Sequence, residues 1–451
     1  MCDINRRGFM VGCSAAIAGL AGSRFNTLAF AQSGGAAASE TMVVIFLRGG
    51  IDGLSLIPPI GGTDRGHYEA ARPGLQIPLT GPDAALALEG QFGLHPGAAP
   101  LLDLYQNGDL AVVTATGLTE ATRSHFDSME FMELGTPGIK TTPTGWLTRH
   151  LQTSAGLPPE IIMPSLAMGD LQQASLRGDR DTVNLVDPDI FSFSTGPWRW
   201  RPAQRAGLRR MYGADDSVLH VTGTKALDAL DVVELFVTDD YTPANGAAYP
   251  STDFGEHLSV IAQMIKLDLG LHVATLDLGG WDTHDSQSYW IPILIDDLSR
   301  SLNAFYTDLD GAGAGNYTDR LTVVVMSEFG RRFVQNNDDG TDHGHGNLMM
   351  VLGGNVNGGQ IHGTWPGLAP GQLFEGLDLA VTTDYRQVLS EILIRRLGNN
   401  RLGDIFPCYG DYSPLGIVSG PDLPPDYGAC SSLFSDGFET GTSAAWSSTV
   451  P

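Results

Sequence analysis

The sequence predicts an α/β domain with a mostly parallel central sheet and helices on both faces. Three observations predict it. Apolar runs of strand length recur along the chain, stretches of helical spacing separate them, and acids and histidines stand just past the ends of the runs. Continuous apolar strands belong to sheets covered on both sides, and strand–helix alternation makes such sheets parallel.

In chain order, Met42–Leu47 and Leu110–Thr114 read as buried strands, and a helical stretch begins at Phe126. His257–Asp268 has helical spacing, Leu271–Leu278 returns to a strand, and Ile293–Leu309 is helical again. Leu321–Met326 and Leu348–Leu352 are strands, and Tyr385–Leu397 is a helix with Asp384 placed to cap it. Residues 170–255 are rich in Asp, Arg, Trp and Pro, with a weaker pattern that predicts an insertion or cap over the sheet. The domain spans 32–415, and a Pro/Gly/Ser-rich tail follows over 416–451.

Residues 1–31 read as an export signal. Asn5-Arg6-Arg7-Gly8-Phe9-Met10 opens a moderately apolar run in the pattern of a twin-arginine signal, and Ala29-Phe30-Ala31 is a small-x-small cleavage site. The run is too short and too weakly apolar to span a bilayer, and no later segment reaches the ~18 apolar residues that a span needs. The expected partner during export is the twin-arginine translocase, and the expected location is periplasmic or extracellular. Cys408 and Cys430 remain after cleavage and are free to pair in an oxidising compartment. The net charge is -25, which argues against nucleic acid and anionic membrane as partners.

The chemistry gathers at strand ends. Asp52 follows the first strand through Gly49-Gly50-Ile51, Asp282 and His284 follow Gly279-Gly280-Trp281, and Glu328 stands two residues past its strand. Asp342, His343 and His345 occupy a Gly-rich loop. Open parallel sheets bind ligands outside the carboxyl ends of their strands. Carboxylates with imidazoles suit Zn or Mn, and all-oxygen sets suit Mg or Ca. One or two divalent ions are expected here. Each group also has a structural reading: Asp52 as a turn residue, Asp282 as a cap, and Glu328 as partner to Arg331 or Arg332.

These residues carry a resemblance. Val43–Leu54, Arg123-Ser124-His125-Phe126, Gly279–His284, Ser327–Arg331 and Asp342–Gly346 resemble the secreted bacterial DUF1501 family, over about residues 40–400. That family is placed in the alkaline phosphatase-like superfamily, with phosphatases, phosphodiesterases and sulfatases. The resemblance implies an alkaline phosphatase-like fold, with metal ligands at Asp52, Asp282, His284, Glu328, Asp342, His343 and His345. It implies Ser124 as nucleophile at a helix N-terminus, with Thr122 as a rival, and Arg48, Arg123 and His125 toward substrate. Glu328-Phe329 stands where the superfamily has Asp-His, and Asp282 and His284 are two apart where the phosphatases use four. The mature chain has no cysteine in the nucleophile region, which excludes a formylglycine sulfatase mechanism. The expectation is an exported metal-dependent hydrolase of phosphate or sulfate esters. The alternative is a secreted binding or surface-assembly protein with an eroded site.

Overall fold

The computed structural model describes residues 40–428, apart from 156, 158–160, 189–190, 193–195, 238–240 and 312–314. The export signal and most of the tail lie outside the described residues. Nine strands form one sheet: β1 Thr41–Leu47, β2 Leu110–Gly117, β3 Ser165–Met168, β4 Thr182–Leu185, β5 Val273–Leu278, β6 Leu321–Met326, β7 Asn347–Leu352, β8 Ile361–His362 and β9 Thr383–Asp384. Their order is β8-β2-β7-β6-β1-β5-β3-β4, with β9 also on β2. All pairs are parallel except those of β7, which runs against β2 and β6.

β1 holds the centre. Leu47 stands beside Leu278 of β5, and Phe46 beside Met326 of β6. All seven residues of β1 are buried. Val43, Ile45 and Leu47 join one apolar cluster; Met42, Val44 and Phe46 join the other. Side chains alternate across a strand, so both faces of the sheet are covered.

The helices used below are α1 Gly62–Ala71, α2 His125–Leu134, α3 Trp146–Thr153, α4 Arg201–Tyr212, α5 Val218–Phe236, α6 Asp253–Leu267, α7 Gln287–Leu309 and α8 Tyr385–Arg395. On one face α6 and α7 supply Leu258, Ile261, Ile295, Leu302 and Phe305. On the other, α3 and α8 supply Trp146, Leu147, Leu389 and Ile392. Asp384 caps α8 by accepting from the Arg386 backbone N–H. Among the described residues no helix is long and apolar enough to cross a membrane.

Two expectations change. The first part of 170–255 is sheet, not cover: Thr182–Leu185 pairs in parallel with Ser165–Met168 and forms the sheet's edge. Polar Thr182 and Asn184 alternate with apolar Val183 and Leu185, so this half-buried edge strand shows no continuous apolar run. The body also continues past 415. Ile417 and Val418 are buried, and the Glu391 carboxylate accepts the backbone N–H groups of Leu415, Gly416 and Val418. Cys408 is disulfide-bonded, and its partner lies outside the described residues.

At the amino edge of β5 two imidazoles are buried together. His150 of α3 and His272 face each other through Nε2 atoms 3.1 Å apart. His272 Nδ1–H donates to the Glu40 carbonyl at 2.9 Å, and Asn399 Nδ2 donates to His150 Nδ1 at 3.1 Å. Both rings are therefore satisfied as neutral groups. Burial pushes His272 down to about 4, and burial followed by the neighbouring ring pushes His150 well below its ordinary value. A base held neutral by the fold contributes stability that is complete above its unfolded pKa and drains away as pH falls below it. For His272 alone, unfolding free energy should be roughly 2 kcal/mol lower at about pH 5 than at about pH 8. Urea titrations across that range should show the loss, and His272→Gln should remove its share of the slope.

Candidate metal centre

Four loops meet at one edge of the sheet. β1, β5 and β6 are adjacent and parallel, so the turns after Leu47, Leu278 and Met326 emerge side by side. β2 opposes β7, which opposes β6, so β2 ends at the same edge and delivers the loop to α2. A bulge between Thr114 and Thr116, with Ala115 at φ 53°, bends β2 just before that edge. Glycine permits the crowding. A Cβ on Gly49, at φ 119°, would lie 2.5 Å from the Asp282 backbone nitrogen; one on Gly344 would lie 2.4 Å from the Arg331 carbonyl carbon.

Three imidazoles and one carboxylate converge there. His343 Nε2 lies 2.8 Å from His125 Nε2 and 2.8 Å from His284 Nε2. Asp282 Oδ1 lies 3.2 Å from His343 Nε2, 3.4 Å from His125 Nε2 and 3.1 Å from His284 Nε2. The ligand atoms of His125, Asp282 and His343 all fall within 4.8 Å of one another. Ligands about 2.1 Å from a tetrahedral ion stand roughly 3.4 Å apart, so the spacing fits an ion after a slight expansion.

The outer ring nitrogens fix the tautomers. His125 Nδ1–H donates to Glu328 Oε1 at 2.7 Å, His284 Nδ1–H to Asp342 Oδ1 at 3.0 Å, and His343 Nδ1–H to the Arg123 carbonyl at 2.8 Å. All three Nε2 lone pairs then point into the cluster. Glu328 is fully buried and also accepts from the Gly49 backbone N–H at 2.8 Å and from Ser327 Oγ at 3.0 Å. The Glu328 hydrogen bond raises the His125 pKa despite burial, whereas burial lowers that of His343. Burial alone would raise the Asp282 carboxyl, but the hydrogen bond and charge of Arg331 outweigh it and bring the pKa to about 2. The hydrogen bond from His284 lowers Asp342.

Arg331 ties the loops together. Its guanidinium donates to the carbonyls of Gly50 at 2.6 Å, Thr341 at 3.0 Å and Trp281 at 3.0 Å, to the Gly49 carbonyl, and to Asp282 Oδ1 at 2.6 Å. Nothing in the sequence separates it from neighbouring Arg332; only the position of its side chain inside the fold does.

Other expected site residues lie apart from the cluster. The buried Asp52 carboxylate receives both terminal nitrogens of Arg72, which follows α1, together with Ser55 Oγ at 2.6 Å and Gln287 Nε2 at 2.7 Å. It is an ion-pair partner in the core, and no imidazole contacts it. His345 is buried against the Phe374 ring, with centroids 4.3 Å apart, and is not among the residues whose ligand atoms converge. Glu328 and Asp342 serve as partners of the imidazoles, one atom removed from the centre. His125, expected toward substrate, is a member of the cluster. Arg48 pairs with Glu133 and Asp277, and Arg123 with Asp378 and Glu375. Ser124 caps α2 by accepting from the Asp127 backbone N–H at 3.4 Å.

The family model described as "Protein of unknown function (DUF1501)" matches residues 217–399. That span holds Asp282, His284, Glu328, Arg331 and His343; His125 lies before it. No curated protein matches the chain. Among solved structures, it is similar to Ps i-CgsB in complex with k-i-k-neocarrahexaose, at 8% identity and TM-score 0.32, covering 80% of this chain and 72% of that one. It is also similar to the lipoteichoic acid synthase LtaP from Listeria monocytogenes, at 8% identity and TM-score 0.29, covering 86% and 79%.

Removing one member of a buried ion pair typically costs about 3–5 kcal/mol, because the other charge is left unpaired. Asp52→Ala should therefore lower the unfolding free energy measured by urea titration by about 3–5 kcal/mol. Asp52 makes no contact with the imidazoles, so metal content of the folded variant should match the parent. Loss of metal with unchanged stability would restore Asp52 to the ligand set.

Proposed function

We propose that the chain is an exported metal-dependent hydrolase acting on phosphate or sulfate esters. One observation carries the metal part. Three imidazole nitrogens, each with its proton held on the far side of the ring, face one another and a carboxylate at 2.8–3.4 Å. Such acceptors repel unless a cation sits among them. His125, Asp282 and His343 would hold a divalent ion, with His284 beside them, and three nitrogens with one carboxylate suit zinc or manganese better than calcium. A divalent ion supplies Lewis-acid polarisation of an ester oxygen and an activated water.

The chain's own residues prepare that chemistry. Glu328, Asp342 and the Arg123 carbonyl orient the rings, and Arg331 keeps Asp282 ionised and aimed. Ser124, adjacent to His125 at the start of α2, is the candidate nucleophile beside water. The ester class rests on the resemblance to the phosphatase and sulfatase superfamily. Arg48 and Arg123 are already engaged by carboxylates. The neutralised Arg48 and Arg123 favour the second reading, a secreted binding or surface-assembly protein with an eroded site.

Metal analysis of the purified mature protein, with a panel of aryl phosphate, phosphodiester and sulfate esters, tests both. We expect about one divalent ion per chain from this ligand set. Asp282→Ala and His343→Ala should lose metal and turnover together, and Glu328→Gln should weaken metal affinity by roughly 10–100-fold. Ser124→Ala should keep the metal and lose turnover if the hydroxyl attacks, and keep both if water does. Bound metal with no ester hydrolysed would overturn the hydrolase; absence of both metal and hydrolysis would select the binding protein with an eroded site.

Export has its own test. Arg6→Lys with Arg7→Lys should leave precursor in the cytoplasm, because the twin-arginine route reads that pair. Normal delivery of the double variant would point to another route.

A further inference from the structure

The chain carries -25 net charge, yet residues 199–210 hold Arg199, Arg201, Arg205, Arg209 and Arg210 and no acid, leaving -30 elsewhere. Arg199 lies in the turn before α4 and the other four lie on α4, which has no buried residue. α4 packs on α5, whose far end is anchored in the core by Ala229, Val232 and Val233. Arg205 pairs with Asp231 and Glu234, and Arg209 with Asp228 and Asp231, so these two arginines fasten the hairpin.

The remaining features face outward. Trp198 is 79% exposed and Trp200 55%, with Arg199 over the Trp200 ring at 5.9 Å, and Met211 is 52% exposed. Arg199 and Arg210 are exposed as well. Exposed Trp, Arg and Met together are the composition of protein–protein hot spots. A lipid-binding helix would instead show a continuous apolar face, whereas the outer face of α4 presents Pro202, Ala203, Gln204, Ala206 and Gly207.

We infer that the Trp198–Met211 face docks onto the acidic surface of a second copy of this chain. Charge complementarity selects that occupant: a cationic patch on a chain otherwise at -30 meets its complement on any like molecule. The patch cannot face itself across a twofold axis, since Arg199 and Arg210 would meet cations. The contact is therefore heterologous, joining two different surfaces, and builds a ring or an open chain.

Sedimentation velocity on the mature protein tests this at about 0.15 M and about 1 M salt, where the screening length falls from ~8 Å to ~3 Å and the long-range repulsion between two acidic copies is damped at both. We expect oligomers at the lower salt that dissociate to monomer at the higher. Two variants, Trp198→Ser/Trp200→Ser and Arg199→Glu/Arg210→Glu, should each stay monomeric with unchanged circular dichroism and thermal midpoint. The second pair alters charge only, so it keeps the test valid if the first fails to fold. A parent that stays monomeric at the lower salt overturns the inference, as does association that both variants retain. Binding of monomer to phosphatidylglycerol vesicles but not phosphatidylcholine vesicles, without self-association, assigns the patch to lipid and also overturns it.

Discussion

The candidate centre depends on the buried guanidinium of Arg331. Turns after β1 and β5 and the long loop between β6 and β7 approach one another without regular pairing, and their carbonyls would be unsatisfied where water is excluded. Arg331 collects four of those carbonyls and the Asp282 carboxylate. A planar fork with five donors suits this task and a lysine does not. Its charge holds Asp282 ionised and its geometry fixes where Oδ1 points. The imidazoles then converge on an atom whose position is already determined.

A second buried cation supports the same loops from below. Arg72 neutralises Asp52, and Gln287 donates to Asp52 while accepting from Thr283 Oγ1 at 3.1 Å and Thr341 Oγ1 at 2.7 Å. Thr283 sits between Asp282 and His284, and Thr341 precedes Asp342. The strand-end carboxylate of β1 therefore acts through a glutamine on both loops that carry ligand residues. Asp52 is a structural ion-pair partner beneath those loops, and the end of a central strand is where the chain packs closely enough to bury such a pair.

Much of this was legible in the sequence. The five strands read from apolar runs are strands of the sheet, because fully buried strands write their burial into composition. Asp282, His284 and His343 stand out as chemically able residues in glycine-rich loops, where no core needs filling. Asp52 and His345 share those signals and lie elsewhere, because strand-end position and glycine flanks report crowding and not what a side chain meets. Arg72 lies 20 positions from Asp52 on the far side of α1, and nothing local announces the pair. His125 was visible beside Ser124, but its place in the cluster depends on how far the start of α2 carries its ring from the end of β2, which the sequence does not state. The edge strand Thr182–Leu185 escaped for a simpler reason: a half-buried four-residue strand carries little apolar signal.

Arginine use separates the two parts of the molecule. Around the sheet edge Arg48, Arg72, Arg123 and Arg331 are each tied to carboxylates or carbonyls, so their charges are cancelled within the fold. Cancellation there leaves the cluster with an excess of lone pairs, which is the condition for holding a cation. On the outer hairpin, Arg205 and Arg209 are cancelled in the same way, but Arg199 stands exposed over Trp200 and Arg210 is exposed toward the far end of α4. A solvated arginine on an acidic protein needs no partner for stability, and an exposed tryptophan gains nothing from water. Their coincidence at a helix held by ion pairs and not by core packing is what the proposed contact accounts for.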